Sequence, residues 1–112
     1  MTLPASWELT FDAEIQQAEK ARASGNEGMA RVCARRAAGA LVGEYLKRQG
    51  IDLGTPSAYD RLRYLSQLPG VSLQAAQSAD HLLARITPEY TLPMEADLID
   101  EARMLRRELL GE

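Results

Sequence analysis

The most constraining stretch of this chain lies near its C-terminus, where Met94, Leu98, Ala102, Leu105 and Leu109 recur at intervals of three and four residues. That spacing puts the apolar side chains on one narrow arc of an α-helix, whereas a half-buried strand needs alternation at every second residue. A single apolar stripe is buried only by packing against other elements. The same reading applied upstream yields further helical segments and no strand, so the predicted fold is all-α, a four- or five-helix up-and-down bundle.

The breakers between stripes set the predicted boundaries. Residues 1–10 read as an N-terminal arm, with Leu3, Trp7 and Leu9 covering a core edge and Thr10 capping a first helix over 11–24; one domain then fills 11–110. Gly25-Asn26 ends that helix, and Asn26 caps a second over 27–49 that closes on Gly50. Apolar residues spread around more than half of this second helix, which marks it as the central one. Thr55-Pro56 opens a third helix over 56–68, Ser72 a fourth over 73–86, and the striped C-terminal helix covers 94–110.

Composition narrows the chemistry. The chain of 112 residues has room for one modest core, and its single Cys33 excludes an internal disulfide framework or a cysteine-rich zinc site. A net charge of -3 gives no global attraction to nucleic acid or anionic lipid. The stretch AAGALVGEYL is interrupted by Glu44 and flanked by charge, so no membrane span is expected. The N-terminal residues lack a basic region followed by an apolar run, which leads to the expectation of a cytoplasmic protein.

Few residues carry chemical signals. His81, the only histidine, stands one helical turn from Arg85 on a polar face, where imidazole could move a proton and guanidinium could hold a phosphate. No metal-ligand spacing accompanies it, and neither a metal nor a cofactor is expected. Residues 27–49 hold five basic and two acidic side chains, and Arg31 and Arg35 are one turn apart, which suits a phosphate or an interface. Arg36 points away from Arg35. Gly39 and Gly43 predict a close helix contact, either within the fold or across a dimer axis. Tyr90, in the break TPEYTLP, can plug the bundle end or offer its hydroxyl to a phosphate near Arg85. Asp97, Asp100 and Glu101 are explained by solvation and the helix dipole.

The order AEKARASGNEGMARVCARRAAGALVGEYLKRQG, then SAYDRLRYLSQL, then ADHLLARITPEYTLPMEADLIDEARMLRREL resembles the small helical HEPN superfamily over about residues 12–110. The resemblance implies a four- or five-helix bundle that homodimerises, with a nucleotidyltransferase, a nucleotide or RNA as possible partners. It also implies an alternative, a metal-independent RNase or toxin component. The superfamily's nuclease pattern is an arginine followed after four to six residues by histidine. Arg85 matches the arginine, but Tyr90 stands at the histidine position and His81 precedes the arginine. A phenol that stays protonated at neutral pH is a poor proton shuttle. The expectation is therefore a noncatalytic, dimerising interaction module with Arg31, Arg35, Arg85 and Tyr90 at its nucleotide or interface site.

Overall fold

A computed structural model describes residues 3–84 and 96–112. These residues form α1 (Ser6–Ala23), α2 (Glu27–Arg48), α3 (Ala58–Ser66), α4 (Leu73–Leu83) and α5 (Leu98–Leu110), with no strand among them. Each helix packs against the next in sequence, and α2 also touches α4 and α5. Composition explains why α2 is central. Ala30, Ala34, Ala37, Ala38, Leu41 and Val42 are all fully buried, and the small side chains among them let neighbours approach from several sides.

α1 begins at Ser6 and not at residue 11, so the arm is shorter than predicted. Trp7, Phe11, Ile15 and Ala18 fall three or four residues apart and are all buried, which makes Trp7 part of the helical stripe. Thr10 lies within the helix; Ala5 takes the N-cap place, and its N–H donates to Glu8 Oε1 at 3.4 Å. Leu3 and Leu9 are 87% and 57% exposed and do not cover the core. Leu9 sits two residues from both Trp7 and Phe11, and in a helix that spacing places it on the opposite side.

α2 starts and stops as its sequence predicts, to within a residue. The Met29 N–H donates to Asn26 Oδ1 at 3.1 Å. At the far end Gly50 N–H donates to the Lys47 carbonyl and Ile51 N–H to the Leu46 carbonyl, a Schellman pattern that needs the φ of +75° found at Gly50.

The other three helices are shorter than predicted, and cap residues account for the starts of α3 and α5. α3 opens after Ser57, whose hydroxyl accepts the Asp60 N–H at 3.2 Å, so Pro56 precedes the helix. Ser72 caps α4 as expected, but Ala84 is extended and the helix ends at Leu83; the predicted extension to Ile86 lies outside the described residues. α5 starts at Leu98 because Asp97 Oδ1 accepts the N–H groups of Ile99 and Asp100. The expected start at Met94 is outside the described residues. Leu98, Ala102 and Leu105 from the predicted stripe are buried against the core.

Candidate functional site

The GxxxG glycines of α2 serve contacts within the chain. A Cβ built on Gly39 would lie 2.5 Å from the Ala58 Cβ and 2.8 Å from its Cα, so the start of α3 rests directly on the α2 backbone. One turn on, the Arg61 guanidinium lies over Gly43 and donates to the carbonyls of Gly39 at 3.1 Å and Thr55 at 3.2 Å. Two arginine–carbonyl bonds thus fix α3 and its entry loop to α2.

Arg35 does the same for α4. Its Nε donates to the Leu82 carbonyl and its Nη2 to the Ala84 carbonyl, both at 2.7 Å. These carbonyls belong to the C-terminal end of α4, where acceptors lack helical partners and the dipole favours a cation. Burial, and secondarily Arg31, lower the Arg35 pKa, but a guanidinium remains charged at neutral pH. The predicted Arg31/Arg35 pair is therefore divided: Arg35 is held by backbone carbonyls, while Arg31 stays half-buried near Glu27.

Between α2, α3 and the end of α4 runs a groove of about 400 Å³, lined mainly by Val32, Tyr59, Leu62, Leu82 and Leu83 with Arg35 and Arg36. Tyr59 is 47% exposed. Among the described residues no carboxylate lines this groove; Arg36 is exposed and also lines an adjoining cleft that holds Glu14 of α1. Sequence reasoning set Arg36 aside because it diverges from Arg35, yet that divergence is what leaves it clear of the carbonyls Arg35 engages.

The remaining candidates fall elsewhere. His81 does not stand free on a polar face: its Nδ1 is 2.9 Å from Glu101 Oε1, linking α4 to α5. This contact fixes one ring nitrogen and gives Glu101 a role beyond solvation. Cys33 is 4% exposed; burial pushes its thiol pKa up and the nearby Glu14 adds to the shift, so it is suited to packing and not to nucleophilic attack. Arg85 and Tyr90 lie outside the described residues. Among the described residues no His, Cys, Asp and Glu side chains group in threes to hold a metal, and no helix is long and apolar enough to cross a membrane.

Charge is unevenly distributed over the bundle. Arg106 of α5 stacks 5.0 Å from the Trp7 ring and 4.9 Å from the Phe11 ring, with Glu8 and Asp12 beside it. Arg103 of α5 pairs with Glu19 of α1. Arg22 joins three helix ends, donating to both carboxylate oxygens of Glu27 and both of Asp97 at 2.9–3.0 Å. By contrast, none of the ion pairs among the described residues uses Arg31, Arg35, Arg36, Arg61 or Arg63. The chain is acidic as a whole, but among the described residues Arg31, Arg36 and Arg63 of α2 and α3 form no ion pair, although Glu27 lies near Arg31.

The Arg22 cluster carries a prediction for acid. Its hydrogen bond holds the Glu27 carboxyl below the ordinary 4.5. Burial alone would raise Asp97, but Arg22 and the N–H groups of Asp100 and Ile99 outweigh it and keep the pKa below 3.8. Carboxylates held down in the fold bind protons more readily once unfolded, so their stabilising effect is full above the unfolded values and is lost as pH falls through the folded ones. Melting temperature is expected to drop as pH falls below about 4.5, and to drop less in Arg22→Met. Both carboxylates are more than a third exposed, so solvent keeps the difference small. Parallel acid limbs for the two proteins would show that the cluster contributes nothing.

Comparison with protein-family models, with curated proteins and with solved structures gives no match to this chain.

Proposed function

We propose that this chain is a noncatalytic helical interaction module that docks a protein through the groove between α2, α3 and α4. The observation that carries the reading is the groove itself, an apolar floor with a half-exposed tyrosine at its wall and an arginine, Arg36, that forms no ion pair among the described residues. Tyrosine combines a large apolar ring with a polar tip, the balance that protein interfaces favour. Arg35, the expected phosphate ligand, already donates to two carbonyls, which supports a protein ligand over a nucleotide. The HEPN resemblance adds homodimerisation and a nucleotidyltransferase partner to this reading.

Titration of isotope-labelled protein, followed by amide NMR in EDTA, separates binding from turnover. A panel of helical peptides is expected to move the resonances of Val32, Tyr59 and Leu83 saturably, while a short RNA remains intact. Metal-independent RNA cleavage that a groove substitution does not affect would reject the reading. Sedimentation of the same samples reports self-association: the homodimer has twice the 12.3 kDa mass of the chain.

A further inference from the structure

Resting on that reading, we infer that the occupant of the groove is an amphipathic helical segment of a different protein, with apolar anchors flanked by carboxylates. A volume of about 400 Å³ suits two or three anchoring side chains, the number that one face of a short helix presents at i, i+3 or i+4, and i+7. Val32 and Leu83, both partly exposed, give those anchors an aliphatic surface over the buried Leu62 and Leu82, and Tyr59 supplies a partly exposed ring beside it.

Charge selects the flanking residues. Between Gly28 and Gly43, α2 contains three arginines and no carboxylate. Arg35 is engaged with α4, so among the described residues Arg36 is the groove cation that meets an incoming side chain, with Glu14 of α1 in an adjoining cleft. Arg31 and Arg63, also outside the chain's ion pairs, extend the positive field along α2 and α3. Asp60 of α3 is close to the Thr55 hydroxyl, 3.3 Å away, and neither it nor Asp80 of α4 lines the groove. A partner carboxylate therefore meets a guanidinium that forms no ion pair among the described residues.

The same distribution argues against the other occupants. A second copy in an isologous contact would bring the two Arg36-bearing faces together, placing like charges near the axis with no carboxylate among the described lining residues. Nucleic acid needs several cations following a phosphate track and aromatic faces for stacking. Here a single tyrosine ring stands beside an aliphatic floor, and of the nearby arginines Arg35 and Arg61 are both bonded to backbone carbonyls.

The test is selection of a displayed library of helical peptides on the full chain, with repeat selections on Arg36→Glu and Tyr59→Ala. Both positions are exposed, and circular dichroism verifies that the helices persist. Selection on the wild type is expected to enrich apolar residues at i, i+4 spacing beside Asp or Glu, and binding should weaken about tenfold or more in Arg36→Glu. Selection on Arg36→Glu should exchange those acids for Lys or Arg. Peptides that bind and depend on Tyr59 but show no acidic preference would overturn the inference and leave the interaction module intact. Failure of every peptide composition to depend on Tyr59 would overturn both. Groove-dependent RNA binding, or a homodimer abolished by Tyr59→Ala that no peptide competes with, would assign the groove to one of the rejected occupants.

Discussion

Gly39→Leu is expected to destabilise the fold by about 3 kcal/mol or more, the upper range for inserting a side chain into a packed contact. The first atom of any side chain at this position already lies 2.5 Å from the Ala58 Cβ and 2.8 Å from its Cα, and backbone cannot swing aside. α3 would have to leave α2, taking the Arg61 bond to the Gly39 carbonyl with it. Gly39→Ala tests the mechanism more finely. Helix propensity favours alanine by about 1 kcal/mol, so a net loss of about 1–2 kcal/mol would mean that the clash outweighs it. Gly28→Ala is the control, because its Cβ would meet only Asn26 Oδ1 at 3.8 Å. Chemical denaturation measures all three. A Gly39→Ala protein as stable as Gly28→Ala would refute the close contact.

Arg35→Met is expected to cost about 2–3 kcal/mol, since hydrogen bonds to charged groups contribute about 1.5–3 kcal/mol and two half-buried carbonyls would lose their donors. Methionine keeps much of the apolar stem, so the loss reports the guanidinium and not simply the volume. Arg35→Lys should recover about half, because one ammonium retains the charge without the fork that spans both carbonyls. Denaturant midpoints give the magnitudes, and amide exchange gives the place. Protection should fall first in the last turn of α4 while α1 is unchanged. Equal midpoints for Arg35→Met and the wild type would show that the tie is energetically neutral.

These two sites illustrate what was legible in the sequence. The centre of each helix was, because burial follows local spacing: Leu98, Ala102 and Leu105 are buried on α5, as are Phe11, Ile15 and Ala18 on α1. Helix ends were less so. Thr10 and Pro56 are good opening residues by type, yet Trp7 extends the buried stripe of α1 backwards and the Ser57 hydroxyl takes the cap of α3. The glycine spacing at Gly39 and Gly43 signalled a close contact, but their neighbours, Ala58 and Arg61, follow only from the tertiary path.

The candidate site was less readable still. Helical spacing identified Arg31 and Arg35 as neighbours, but the partners of Arg35 are carbonyls 47 and 49 residues later, which no local pattern encodes. Tyr59 is marked by no local motif, and its groove exists because three helices meet there. Arg106 gave no signal at all, because Trp7 and Phe11 surround it from the opposite end of the chain.

The separation, among the described residues, of arginines that form ion pairs from those that do not also gives the bundle an electrical direction. A net charge of -3 repels an acidic partner at long range, but at physiological salt that repulsion is screened beyond about 8 Å. Closer in, the α2–α3 face governs the force, and an approaching anion turns the bundle so that this face leads. Adding salt would weaken both effects, so the encounter rate should reflect which face meets the partner more than the overall charge.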